Sequence, residues 1–305
     1  MKLSELVLLK NQLDNLSFGS IQNDLNVMLD NLSYITKDGD YSIASEQDSI
    51  SQAAVAFNQT LENLKLKISQ DIKKIEPKYF SESYNSYQHE LNQTAENIQT
   101  NGRNHFKNLD LTLFKSRLHR YADWHYPAMI IRPNIEPFIE DMVAHDPLYI
   151  VDVSHELLQP ALNRFNTQFQ NRLRKYIINE TQDAPFLDKL PDNQFSVVLA
   201  YNFLNFRPIE LFRQYLTEVY QKLRPGGVFI LTFNDADRAA GVNAVEIELA
   251  VYTPGYLIRE LAQLTGFKVD FEWHDNGSST WLELKKPGTL SSLKGGQTLA
   301  KILPK

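Results

Sequence analysis

Apolar residues recur at steps of three and four through the first part of the chain. Ile50, Ala54, Phe57, Leu61, Leu64, Ile68, Ile72 and Ile75 describe one stripe, which predicts an amphipathic helix about four heptads long. A partial stripe at Leu25, Met28, Leu29 and Leu32 precedes it, and "DGDYS" (Asp38 to Ser42) reads as the turn between the two. The polar run "NQTAENIQTNGRN" reads as a helix end or linker, with Asn101-Gly102 as the stop. Two readings of residues 1–110 stay open: an intramolecular helical hairpin, or a coiled coil with another copy or another protein. Because so long a stripe requires cover, self-association or docking on a protein partner through these helices is expected. Removal of residues 1–110 is expected to leave a folded C-terminal domain.

From about residue 111 the period changes. "PLYIVDVS" is a nearly continuous apolar run, as in a strand buried on both faces, and "ELLQPALNRFNTQFQNRLRKY" after it has helical spacing. "YIINE" and "FSVVLAYNFL" read as strands, "IELFRQYLTEVYQKL" as a helix stopped by "RPGG", and "VFILTFND" as the next strand. "TPGYLIRELAQLTGF" is one more helix, with Thr253 and Pro254 as cap and first-turn proline and Gly266 as its stop. A hairpin about Asp275 to Ser279 closes the pattern. Strands alternating with helices predict an α/β domain with a parallel sheet over 111–288, followed by a tail over 289–305.

Composition narrows the function. A length of 305 residues with 43% hydrophobic residues suffices for a sizeable core. The formal net charge of −6 makes nucleic acid a poor partner, and no apolar run approaches the roughly 20 residues of a membrane span. There is no cysteine, which removes thiolate metal sites and nucleophiles. With no signal segment legible at the start, a soluble cytoplasmic protein is expected. His119 and His125 are spaced wrongly for two ligands on one helix face, and His145, His155 and His274 lack companion cysteines or clustered acids, so no metal site is expected. "RLRKY" (Arg172 to Tyr176) reads as a solvated helix end. No serine-nucleophile elbow or phosphate-binding loop occurs.

"PLYIVDVSHELL" and "YLTEVYQKLRPGGVFILTFND" together resemble the class I S-adenosylmethionine-dependent methyltransferases. The stretch "HDPLYIVDVSHELL" with "YTPGYLIRELAQLTGF" is also similar to methyltransferase-like proteins of large tailed phages of cyanobacteria. The first resemblance implies a Rossmann-like seven-stranded sheet ending in a C-terminal β-hairpin, and S-adenosylmethionine as cofactor. The second implies a virion component or an assembly factor.

In the methyltransferase family the first strand ends in an acid and enters a loop of pattern acid-x-Gly-x-Gly-x-Gly. Laid on "YPAMIIRPNIEPF", those positions become Ile130, Arg132, Asn134 and Glu136. Asp152 falls at the end of the next strand, where the resemblance implies a ribose-binding acid, and Asn202 falls where such proteins contact substrate or cofactor. Glycine in such a loop permits positive φ or close approach of a ligand to backbone, and Arg132 and Glu136 offer neither freely. Arg132 is expected to cap a carboxylate, either Asp152 or Glu136, and to fill the pocket with protein. A non-catalytic module is the expected function, with no bound cofactor. An active methyltransferase with an atypical loop is the alternative, since methyl transfer can proceed by positioning alone.

Overall fold

The computed structural model describes residues 2–16, 27, 43–94, 96–98, 100, 111–132, 138–180, 184–275 and 277–289, and over 43–50 the backbone alone. The chain divides into two compact units, Met1–Lys78 and Tyr79–Lys305. The Leu25 to Leu32 stripe, the Asp38 to Ser42 turn and the Asn101-Gly102 stop lie outside the described residues.

The first unit contains α1 (Leu3–Asp14) and the larger part of α2 (Ile43–Leu91). The expected stripe lies on α2, which runs on past Ile75 and through Pro77. Its apolar positions divide. Ala54, Leu61 and Ile68, seven residues apart, are buried together with Ile72, whereas Phe57 and Leu64 are 37% and 45% exposed. Lys65 Nζ stands 3.8 Å from Asp14 Oδ1, joining α1 to α2. The division between the compact units falls inside α2, and residues 79–91 group with the α/β unit.

The second unit is built on a seven-stranded sheet ordered β3-β2-β1-β4-β5-β7-β6. Its strands are β1 (Ala128–Ile131), β2 (Leu148–Asp152), β3 (Leu173–Ile177), β4 (Phe195–Ala200), β5 (Leu223–Asn234), β6 (Lys268–His274) and β7 (Ser279–Lys285). β7 runs antiparallel to both β5 and β6, and the other pairings are parallel. Alternate residues of the central strands feed two cores, as a period of two requires. Met129, Ile131, Val151 and Val198 pack with Phe212, Tyr215 and Val219 of the helix Ile209–Lys222. Ala128, Ile130, Ile150 and Leu199 face Phe114 of Thr112–His119, Phe138 of Phe138–Asp141, and Leu158 of His155–Asn163.

Two expectations are corrected. The long helix expected after β2 ends at Asn163, a short turn of helix follows at Thr167–Gln170, and "LRKYI" is β3. Arg174 and Lys175 are therefore exposed on an edge strand, not at a helix end. Thr253 does not cap the helix Gly255–Thr265, because its hydroxyl donates to Asn234 O. The freed N–H groups of Gly255 and Tyr256 donate instead to Asp235 Oδ1 (3.2 Å) and Asp237 Oδ2 (2.7 Å). Gly266 does end that helix, at φ 104, a conformation that favours glycine.

Candidate functional site

Strand order reverses between β1 and β4, and ligands of doubly wound sheets bind at the carboxyl ends of the strands beside such a point. Four strand ends bring Arg132, Asp152, Glu180 and Phe203 there. Arg132, directly after β1, has φ 58 and donates its N–H to Val151 O at 2.7 Å. The backbone thus keeps the left-handed conformation that suits glycine while carrying an arginine, at roughly 1 to 2 kcal/mol of local cost.

The Arg132 side chain points inward and is 1% exposed. It pairs with Glu90, and its Nε lies 3.9 Å from Asp152 Oδ2. Glu90 belongs to the last turn of α2, and its other oxygen lies 3.1 Å from Arg207 Nη1. Arg207 in turn donates through Nε to Glu180 Oε1 at 2.8 Å. Tyr215 donates to that same oxygen at 2.5 Å, and Tyr87, one turn before Glu90, donates to Glu180 Oε2 at 2.9 Å. Both guanidiniums lie over the Phe203 ring, at 3.9 Å for Arg207 and 4.9 Å for Arg132. Three carboxylates and two guanidiniums are therefore stacked in a site closed to solvent.

Electrostatics follow from that enclosure. Burial alone would raise the Glu90 pKa, but Arg207 and Arg132 outweigh it and hold the carboxyl below its ordinary range. Burial works against a charged Arg207, yet Glu180 and Glu90 hold it firmly protonated. Asp152 differs. Its Oδ1 accepts from Val153 N (2.7 Å) and Ser154 N (3.3 Å), while Oδ2 has no hydrogen-bond partner. Burial pushes its carboxyl up to about 6, against the pull of Arg132.

Of the residues expected at the site, Arg132 and Asp152 come together. Glu136 and Asn134 lie outside the described residues. Arg132 pairs more closely with Glu90, which was not expected, than with the expected Asp152. Ile130 is buried within β1, its side chain in the core away from this cluster. Asn202 has φ 47 and donates its N–H to Thr232 Oγ1 at 2.7 Å, which is a structural role at a strand end. Glu90, Tyr87, Glu180 and Arg207 carry no local signal, since their contacts span up to 117 positions of sequence.

His274 also departs from expectation. Asp235 and Glu272 each place a ligand atom within 4.8 Å of it. Glu272 is two residues away on the same strand and so on the same face, while Asp235 arrives from the end of β5.

Residues 139–231 match the family described as a methyltransferase domain. The second unit has the methyltransferase fold. Its parallel strands, the β5–β7–β6 ending and the matched segment agree. No curated protein sequence matches the chain. A SAM-dependent methyltransferase from Leishmania major is similar at 13% identity and TM-score 0.47, over 68% of this chain and 83% of that one. An O-methyltransferase family protein from Burkholderia thailandensis is similar at 10% identity and TM-score 0.46, over 58% and 56%. A TehB-like SAM-dependent methyltransferase from Corynebacterium glutamicum is similar at 14% identity and TM-score 0.44, over 63% and 97%. Among the described residues no helix is long and apolar enough to cross a membrane.

Proposed function

We propose that this methyltransferase fold is filled at its cofactor end by its own side chains, and that the protein serves as a non-catalytic structural or binding module. The observation that carries this reading is the insertion of Glu90 between Arg132 and Arg207 at the strand ends. A ribose-binding acid must offer its oxygens to hydroxyl groups, but Asp152 is 0% exposed, its Oδ1 already accepts from two N–H groups, and the Arg132 guanidinium stands 3.9 Å from its Oδ2 where a ligand would approach. Moving Arg132 aside to admit a ligand would strip Glu90 of a partner in a buried setting, which is costly. The residues present do not fit S-adenosylmethionine in this conformation. Calorimetric titration with S-adenosylhomocysteine tests the reading, which requires no saturable heat.

Work without catalysis points to the N-terminal helix as the partner surface. Val55 and Leu66 of α2, 57% and 59% exposed and eleven residues apart, share one helix face on the side away from the buried Ala54, Leu61 and Ile68, a face suited to a second copy or a larger assembly. A virion component or assembly factor is the setting to which the sequence resemblance points.

One observation favours a second reading. The methyltransferase-domain match over 139–231 fits an S-adenosylmethionine-dependent enzyme whose residues 79–91 withdraw to admit the cofactor. Saturable binding of S-adenosylhomocysteine by the unmodified chain would select it.

A further inference from the structure

The antiparallel edge of the sheet holds a second polar cluster that the cofactor end does not use. We propose that His274, Glu272 and Asp235 form a binding site for a divalent transition-metal ion, with Zn²⁺ as the best-suited species. One ligand atom from each residue lies within 4.8 Å of the others. His274 Nε2 stands 3.6 Å from Glu272 Oε1, and His274 Nδ1 stands 3.9 Å from Asp235 Oδ2. Two ligand atoms sharing one ion at bonds of about 2.0 to 2.2 Å stand roughly 3 to 3.5 Å apart. His274 Nε2 and Glu272 Oε1 therefore need little movement, whereas Asp235 Oδ2, whose nearer ring nitrogen is Nδ1, must swing toward Nε2 to complete the set.

The surrounding bonds prepare the imidazole for this role. Thr280 Oγ1 donates to Asp235 Oδ2 at 2.9 Å and lies 2.8 Å from His274 Nδ1. A hydroxyl that donates to the carboxylate accepts from Nδ1–H, which leaves the lone pair on Nε2, the nitrogen beside Glu272. Metal-bound histidines are oriented in this way by a hydrogen bond from their other nitrogen. The strands supply the parts in register: β7 pairs Thr280 with His274 of β6 on one side and with Phe233 of β5 on the other. An ion here would clip the end of β5 to the edge strand β6 across β7.

Charge and access agree with a cation. Asp237 and Glu272 share one guanidinium, that of Arg259, which lies 2.7 Å from Glu272 Oε1 and 3.0 Å from Asp237 Oδ2, and Asp235 adds a third carboxylate beside His274. Arg238 is engaged by Asp275. Three formal negative charges against one positive leave a surplus suited to a divalent ion. The Asp235 side chain is 2% exposed, Glu272 24% and His274 47%, a gradient from dry anchor to open approach. Gly255 permits the anchor, since a Cβ there would stand 2.6 Å from Asp235 Oδ1. One imidazole with carboxylates suits Zn²⁺ better than the all-oxygen preference of Ca²⁺ or Mg²⁺.

Titration of Zn²⁺ into the chelator-stripped full-length chain tests the site, alongside His274→Ala and Arg259→Gln. One ion per chain is expected, with affinity at least about tenfold weaker in His274→Ala. Arg259→Gln is expected to bind more tightly, because Glu272 loses its competing cation. Absence of saturable binding overturns the proposal. So does binding that survives His274→Ala unchanged, which places the ion at His119–Asp141 or His125–Asp123. Unchanged affinity in Arg259→Gln removes Glu272 from the ligand set and overturns the site as drawn.

Discussion

The two oxygens of Glu90 serve two different guanidiniums: one meets Arg132, and the other lies 3.1 Å from Nη1 of Arg207. Neither arginine has access to water to replace a lost partner, with side chains 1% and 0% exposed. Breaking a buried pair from one side leaves an uncompensated charge, at roughly 3 to 5 kcal/mol. Arg132→Ala and Glu90→Ala are each expected to lower unfolding free energy by about that amount in denaturant titrations. A loss under about 1 kcal/mol for either is what a solvent-exposed pair gives, and it would place both groups outside a sealed site.

Asp152 sets a pH dependence of opposite sign to that of Glu90. Its carboxyl rises from an ordinary 3.8 to about 6, so the folded state holds a proton that the unfolded chain releases between those values. The associated stability is fully present below about pH 3.8 and is lost as pH rises through about 6. That interval corresponds to about 3 kcal/mol. Asp152→Asn is therefore expected to stabilise the protein at pH 7 by up to about 3 kcal/mol and to do little near pH 4. Glu90, held below its ordinary 4.5, contributes stability that is present above that value and lost as pH falls. Melting temperatures of both proteins across pH 4 to 7 separate the two contributions.

Cutting the chain at different points distinguishes the unit boundary from the composition boundary. A chain beginning at Tyr79 keeps Tyr87 and Glu90, whereas one beginning at Leu111 loses both and leaves Arg132 and Arg207 short of a carboxylate. The shorter chain is expected to melt lower or to aggregate, while the longer one stays folded. Equal melting of the two would show that the end of α2 contributes nothing to closing the site.

The exposed face of α2 gives a prediction about mass. Full-length protein is expected to self-associate or to dock on a larger assembly, and Leu66→Asp is expected to abolish this with little loss of stability, since Leu66 is 59% exposed. Light scattering on both proteins decides it. Equal mass together with unchanged partner binding removes the docking role.

The architecture was readable because it rests on local pattern. Buried strands such as "FSVVLA", the end of the helix before "RPGG" and the Gly266 stop each declare themselves within a few residues, although "RPGG" itself opens β5. Reading Arg132 as a pocket-filling cation followed from placing it in a loop that resembles a glycine-rich one. Asp152 was among its expected partners, but Glu90 and the Arg207 beyond it could not be read, because only folding joins positions 90, 132 and 207. β3 was placed too late, at "YIINE", for a different reason: its burial pattern has only Leu173 fully inside, so "LRKYI" shows no strand alternation and extends the preceding helical spacing. The Asp235–His274 approach was equally hidden, since strand order places β7 between their strands.

The proposed sealing of the cofactor end is tested most directly by the stability of the unmodified full-length chain in saturating S-adenosylhomocysteine. A ligand that binds the folded state alone adds about 2.7 kcal/mol at a hundredfold excess over its dissociation constant. The expected result is an unfolding free energy unchanged by ligand, with Glu90 still seated between Arg132 and Arg207. A stabilisation above about 2 kcal/mol would contradict it and show that the cofactor enters despite them.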